Sequence, residues 1–378
     1  MPYRIGGYNK MNTPFEASTI NEMKLVNRFI RSATWEGMAA DNGACTPELI
    51  NLMTALAKGG LGLIISSHAY VTPEGQAGPW QLGVYNDALV PGLEAMAKAV
   101  HDNGSKIVMQ LAHAGFFANA KLIGQTPLAP SNVEGFAKSP RTEMTVADIQ
   151  NVVKAYGAAA KRAQNAGFDG VQIHAAHGYL LSQFLSPAFN RRNDSYGGDI
   201  RHRARAVVAV LRQIRQAVGR DYPVLVKMNC RDFIENGLVV EDSLEVGTML
   251  ESEGIDAIEL SGGVLVGGKL SPSRVEIKSE EKEAYFQDDA RAFKRKLRVP
   301  LILVGGNRSF QVAERLINEG TADYISMSRP LIREPDLINR WRAGDLSKAA
   351  CVSDNMCFGP ARKGEGIYCL TEEREKKP

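Results

Sequence analysis

Gly167-Phe168-Asp169-Gly170-Val171-Gln172-Ile173-His174-Ala175-Ala176-His177-Gly178-Tyr179 reads as the end of a helix, a turn, a short buried strand and then a group of polar rings. Gly167 closes a helical run and Asp169-Gly170 makes the turn. Val171 and Ile173 are β-branched and occupy the few positions that can form the strand. A strand that served packing alone would return to a polar turn, whereas this one runs on into His174, His177 and Tyr179. Ring side chains able to donate hydrogen bonds thus gather at a strand's carboxyl end. In a barrel of parallel strands that end is the active-site face.

The same strand-then-helix unit recurs outward from this stretch in both directions. The strands are read as Phe29–Thr34, Leu61–Ala69, Lys106–Ala112, Gly170–Ala175, Pro223–Asn229, Ala257–Ser261, Pro300–Gly305 and Asp323–Ser328. Helix-period runs lie at Pro47–Lys58, Val90–Asn103, Val146–Ala166, Ile200–Val218, Glu241–Glu253, Glu283–Leu297, Phe310–Glu319 and Asp336–Arg342. Each strand is rich in Val, Ile or Leu with little alternation, as befits strands buried on both faces. Eight such units predict an α/β fold, a closed (β/α)8 TIM barrel, with a doubly wound open sheet as the alternative. Three long loops, Phe116–Met144, Gly178–Asp199 and Gly262–Lys282, leave carboxyl ends of strands, where loops that build an active site belong. The tail from Ala343 carries no further unit and is expected to be a frayed, solvated end.

Composition sets the bounds. Of the 378 residues 44% are hydrophobic and 23% charged, ordinary values for a chain with a sizeable core, and a net charge of +3 gives no reason to invoke nucleic acid or a membrane surface. Five cysteines, an odd number and mostly late in the chain, argue for a reducing compartment over a disulfide framework. With no apolar N-terminal stretch and no span long enough for a membrane helix, a cytoplasmic protein is expected.

Three constellations can carry chemistry. His174 and His177 are three apart, so both rings can face the barrel mouth. They suit a metal pair, which would need further ligands from elsewhere, or a pair of N–H donors that polarise one oxygen. Tyr179 offers an O–H that can protonate a carbanionic carbon. Val304-Gly305-Gly306-Asn307 and Ser326-Met327-Ser328-Arg329-Pro330 follow strands seven and eight, the recurrent phosphate site of barrels, with Arg329 as a bidentate grip. Gln110 ends strand three, with a donor and an acceptor for the edge of a heterocycle. Lys227 lies among apolar neighbours in strand five, where it points either into the core, at the cost of burying its charge, or at an anionic ligand.

Together these residues resemble the old yellow enzyme family of FMN-dependent oxidoreductases, in the branch that contains the flavin domain of bacterial 2,4-dienoyl-CoA reductases. The resemblance runs from about Phe15 to about Arg342. It is carried by GFDGVQIHAAHGYLLSQFLSP with Asn190, Arg192, Asp194 and Tyr196-Gly197-Gly198, and by LVNRFIRSATWE, QLAHAG, QTPLAPS and ADYISMSRPLI. The resemblance implies FMN across the mouth, its phosphate near Gly305, Gly306, Ser328 and Arg329, and its ring approached by the backbone of Ala33 and Thr34. It implies Gln110 at the pyrimidine edge and Lys227 as the cation beside N1 and O2. His174 and His177 would hold a substrate carbonyl oxygen, and Tyr179 would be the proton donor. NADH or NADPH would supply hydride, and an enone or enoate would receive it.

Two features depart from the family. Trp35 stands where other branches carry Cys, Thr or His, so a bulky indole borders the substrate. Members with an iron–sulfur cluster space four cysteines C-x2-C-x3-C-x11-C; here Cys357 and Cys369 keep the x11 spacing, while the earlier slots fall on Ala350 and Ser353 with Cys351 displaced by one. Residues 1–342 are therefore read as one FMN-binding barrel and 343–378 as an extension with a degenerate cysteine cluster and no metal. The leading expectation is a single-domain ene-reductase acting on a small molecule, with a homo-oligomer left open. The alternatives are a flavin dehydrogenase or demethylase of the same family, and a flavin-free barrel isomerase or aldolase using Lys227.

Overall fold

In the computed structural model, which describes residues 13–134 and 140–376, parallel strands close on themselves into a barrel. The strands are β1 Phe29–Arg31, β2 Leu63–Tyr70, β3 Lys106–Ala112, β4 Gly170–Ala175, β5 Val224–Asn229, β6 Ala257–Ser261, β7 Leu301–Leu303 and β8 Tyr324–Met327. Each pairs with the next in sequence, and β8 returns to β1. The helices between them are α1 Pro47–Lys58, α2 Val90–His101, α3 Val146–Asn165, α4 Arg205–Val218, α5 Val240–Ser252, α6 Gln287–Lys296, α7 Phe310–Asn318 and α8 Leu337–Arg342. The expected (β/α)8 TIM barrel is the fold.

Local chemistry explains where the elements stop. The Thr46 side chain caps α1, and Thr145 with Asp148 forms a capping box on α3. β1 stops three residues short of the expected Thr34, because Thr34 Oγ1 turns back to donate to the Ser32 carbonyl, 3.0 Å away. The run expected as one helix over Ile200–Val218 is two, Ile200–Arg203 and α4, which meet at Ala204. α6 starts at Gln287 and not at Glu283, whose carboxylate instead accepts from the Arg308 and Ser309 N–H groups and ties down the loop after β7. Acid chemistry at Glu283 outcompetes its helix propensity.

The bottom of the barrel is plugged by an antiparallel hairpin, Ser18–Ile20 with Met23–Leu25, which the strand reading did not anticipate. Ile20, Met23 and Leu25 pack on the inward side chains Ile30, Leu63, Val108, Leu225 and Ile302. The plug fills the lower interior with apolar side chains, and the cavity lies at the carboxyl-end mouth.

The tail is not a frayed end. Trp341 Nε1 donates to the Ser347 carbonyl at 3.0 Å, and Arg308 and Ala349 exchange backbone and side-chain bonds. Cys357, Ala361 and Ile367 are buried and pack against Trp35, Met38 and Leu52. This small core explains why the segment folds back, and it brings 353–362 to the rim of the mouth. Of the long loop Phe116–Met144, residues 135–139 lie outside the described residues, as do the last two residues of the tail.

Candidate active site

Parallel strands alternate their side chains between the interior and the helices, so residues at the carboxyl ends of β1 to β8 that face inward must meet at the mouth. They line a cavity of about 700 Å³. His174, His177 and Tyr179 from β4 and its loop stand on one side, with Gln110 from β3 and Lys227 from β5. Ala33, Thr34 and Trp35 follow β1, and Gly306, Ser328 and Arg329 complete the opposite side. Gly305 is not on the cavity wall; a Cβ there would lie 2.9 Å from the Phe286 ring, so it serves the turn behind. The Asn190, Arg192 and Asp194 motif does not reach the mouth. Asn190 Nδ2 donates to the Phe184 and Tyr196 carbonyls at 2.7 Å, and Arg192 pairs bidentately with Asp194, clasping the loop that follows Tyr179.

The rings are held tightly. The His174 ring centroid is 4.7 Å from Tyr179 and 5.3 Å from His177. His177 adopts φ of +65°, a left-handed conformation that histidine tolerates better than most residues. It is held there by its N–H donating to Asn229 Oδ1 and by its carbonyl accepting from the Leu265 N–H. His177 Nε2 lies 2.7 Å from Ser261 Oγ, and His174 Nδ1 is buried without a partner. Burial holds both imidazoles well below the ordinary histidine range; His177, His68 and Lys227 reinforce this for His174, and Lys227 and His68 for His177. Burial likewise pushes the Tyr179 phenol above its ordinary value. The pair is therefore neutral and the phenol protonated at neutral pH.

One ring at the mouth was not foreseen. His68 Nε2 lies 3.1 Å from Tyr179 Oη, with ring centroids 5.3 Å apart. In β2 the register shifts between Ile65 and His68, so three steps of β2 match two of β3. This bulge reverses the alternation and turns His68 toward the mouth. Burial lowers its imidazole to about 4.

Below the mouth, the polar residues form one network. Glu259 on β6 is fully buried and accepts from Ser32 Oγ at 2.6 Å, Ser326 Oγ at 2.9 Å, Gln172 Nε2 at 2.9 Å and Lys227 Nζ at 3.1 Å. Burial alone would raise this carboxyl; the Lys227 ammonium and the bonds from Ser32, Gln172 and Ser326 more than offset that and hold it below the usual range. Gln172 Oε1 in turn accepts from Gln110 Nε2 at 2.7 Å. A carboxylate only accepts, so it fixes the direction of both amides and leaves Gln110 its carbonyl oxygen and one N–H for a ligand. Lys227 is engaged by Glu259 and by Ser32 Oγ at 2.7 Å and is not the free amine that Schiff-base chemistry needs.

The opposite side suits a phosphate. Gly306 has φ of +81°, and a Cβ there would approach the Tyr285 ring to 2.8 Å, so the bare backbone is required. Thr34 Oγ1 and Ser328 Oγ are 2.6 Å apart. Arg329 uses Nη1 for the Arg274 carbonyl and Asn355 Oδ1, at 2.8 and 2.7 Å, which leaves the rest of its guanidinium for an anion. Asn355 Nδ2 donates to the Ser273 carbonyl, so the tail braces this arginine. An amide edge and a cation on one side and a phosphate cradle on the other fit FMN. Among the described residues no group of three or more His, Cys, Asp or Glu side chains could hold a metal ion, and no helix is long and apolar enough to cross a membrane.

Comparisons with known proteins place the chain among flavin oxidoreductases. The profile of the NADH:flavin oxidoreductase / NADH oxidase family matches residues 13–346. An NADH oxidase of Thermoanaerobacter brockii is 34% identical over 352 residues, covering 91% of this chain and 53% of its own length, so the chain spans about half of that relative. A 4,4'-dithiodibutanoate disulfide reductase of Rhodococcus erythropolis is 32% identical, with 91% of this chain and 92% of the relative covered. Among solved structures, a 2-naphthoyl-CoA reductase in complex with 2-naphthoyl-CoA superposes with a TM-score of 0.88 at 27% identity, over 94% of this chain and 56% of the other. Morphinone reductase gives 0.75 at 26% identity, over 89% and 90%. On its sequence, its barrel and the furnishing of its mouth, the chain belongs to the NADH:flavin oxidoreductase / NADH oxidase family, whose cofactor is FMN.

Proposed function

We propose that the protein is an NAD(P)H-dependent ene-reductase that saturates the carbon–carbon double bond of an α,β-unsaturated carbonyl compound. Bound FMN would supply the redox chemistry, taking hydride from NADH or NADPH and delivering it to the β-carbon. Gln110, Lys227 and the backbone of Ala33 and Thr34 would hold its ring, and Gly306, Ser328 and Arg329 its phosphate. His174 and His177 would bind the carbonyl oxygen through their N–H groups and draw charge onto it. Because both imidazoles are neutral, neither can give up a proton without forming an imidazolate. Tyr179 is the acid that remains, and it would protonate the α-carbon. Trp35, packed on the tail residues Cys357 and Ala361, would bound the substrate on the far side.

The observation that carries this reading is the convergence of Tyr179 with two neutral histidines, ring centroids 4.7 and 5.3 Å from His174, at the mouth of a cavity suited to FMN. The test is the visible spectrum of the purified protein, recorded before and after anaerobic NADH or NADPH and again after cyclohexenone. Flavin absorbance that bleaches with the nicotinamide and recovers with the enone is the expected result. Bleaching without recovery, across a panel of enones, enoates and enoyl thioesters, overturns the ene-reductase reading and leaves the dehydrogenase of the same family. A protein that takes up no FMN overturns the cofactor placement.

A further inference from the structure

The barrel axis holds a charge that the proposed reaction does not use. Glu259 is fully buried, touches neither the mouth nor the reacting rings, and is satisfied by donors from β4, β5 and β8 and from Ser32 after β1. Stability alone does not account for it: a buried ion pair is often replaceable by apolar side chains at no loss of stability, and two charges are costly to remove from water. Glu259 and Lys227 face each other directly across β6 and β5, in register, with Nζ 3.1 Å from Oε1. Lys227 lines the cavity and Glu259 does not.

We infer that Glu259 is a positioning and charge-compensating residue that sets the reduction potential of the bound flavin. The inference rests on the cofactor placement proposed above, with Lys227 beside the pyrimidine edge. Reduction of FMN by two electrons and one proton puts a negative charge on that edge. A lone ammonium there would stabilise the reduced form strongly. Paired with Glu259, the lysine presents a dipole, positive end toward the mouth, and its field on the flavin is weaker than that of an isolated cation. The carboxylate thus keeps the reduced flavin from being held so tightly that it would no longer give hydride away. It also fixes the Lys227 ammonium on Ser32 and, through Gln172, the amide of Gln110.

The test is the potential of the FMN-loaded protein, measured against reference dyes under slow anaerobic reduction, for wild type, Glu259→Gln and Glu259→Asp. Glu259→Gln should shift the equilibrium toward reduced flavin by tenfold or more, about 30 mV upward for a two-electron couple. Glu259→Asp, which keeps the charge, should stay near wild type. If Glu259→Gln does not load FMN, the double variant Lys227→Met with Glu259→Met replaces the whole pair; it should stay within a few-fold of wild type, and a fall of tenfold or more would mean that Lys227 acts uncompensated. A Glu259→Gln potential equal to wild type at each pH, with the flavin bound, overturns the inference while leaving the cofactor placement intact. A wild-type chain that binds no FMN overturns the placement itself.

Discussion

Tyr179→Phe removes one oxygen from a ring that stands between His68 and His174, at centroid distances of 5.3 and 4.7 Å, and so leaves the shape of the mouth unchanged. What it deletes is the proton and the hydrogen bond to His68 Nε2, 3.1 Å long. A buried nitrogen without its partner costs about 1–3 kcal/mol, too little to unfold a barrel of this size. Loss of a positioned general acid costs roughly 10²- to 10⁴-fold in rate, or about 2.7–5.4 kcal/mol of barrier at 1.36 kcal/mol per tenfold. The two half-reactions separate binding from chemistry. Reduction of the flavin by NADH or NADPH needs no proton from Tyr179, so its stopped-flow rate should be nearly unchanged. Reoxidation by cyclohexenone should slow by about a hundredfold or more. Equal slowing of both would refute the acid role and make Tyr179 a packing residue. Unimpaired reoxidation would move the proton to a donor other than Tyr179.

Arg329→Ala removes the free guanidinium from the phosphate side and should weaken FMN binding roughly ten- to a hundredfold, the worth of about 1.5–3 kcal/mol for one or two charged hydrogen bonds; titration of the apoprotein with FMN and with riboflavin checks it, and only FMN should suffer. Burial holds the His68 and His113 imidazoles down to about 4, against an ordinary 6.5. The unfolded chain therefore takes up protons first as pH falls, so this stability is complete above about pH 7 and is lost progressively down to about pH 4, roughly 3 kcal/mol for each ring. Urea midpoints measured from neutral to acid pH should fall accordingly, and a flat profile to about pH 5 would contradict neutral burial. Ile367 is only 4% exposed, in the core that joins the tail to Trp35, and Ile367→Ala should cost about 2–5 kcal/mol. An unchanged unfolding midpoint would mean that the tail frays after all.

Much of this site was legible because its chemistry is local in sequence. His174, His177 and Tyr179 sit within six residues of one another, at the end of a strand whose β-branched residues mark it as buried. The glycine after β7 and the Ser328-Arg329 pair after β8 are marked by their place in a repeated unit. The tail was misread for the opposite reason. Its final residues are charged, and its buried apolar side chains Cys357, Ala361 and Ile367 make their core with Trp35, Met38 and Leu52 from the start of the chain, joined by Ile332 and Phe358. No periodicity inside the tail could announce a partner 300 residues away.

His68 and Glu259 were missed differently. A strand read by alternation puts Leu63, Ile65 and Ser67 on one face, and His68 on the face toward the helices. Only the extra residue near Ser66 and Ser67 reverses that, and a bulge leaves no signature in composition. Glu259 did leave one. A lysine inside β5 has either to carry the cost of burial or to face an anionic ligand, and the sequence also holds a third answer, a partner. The adjacent strand, Ala-Ile-Glu-Leu-Ser, carries a single acid among apolar residues. In a parallel barrel whose neighbouring strands are consecutive in sequence, a lone lysine in one strand and a lone glutamate in the next are already close. That the register sets them opposite each other explains how both charges are tolerated at the axis. It also changes what the lysine can do: a cation that could have been a nucleophile, or an unscreened clamp on reduced flavin, becomes one end of a compensated pair. On the inference drawn above, that compensation keeps the reduced cofactor able to pass its hydride on.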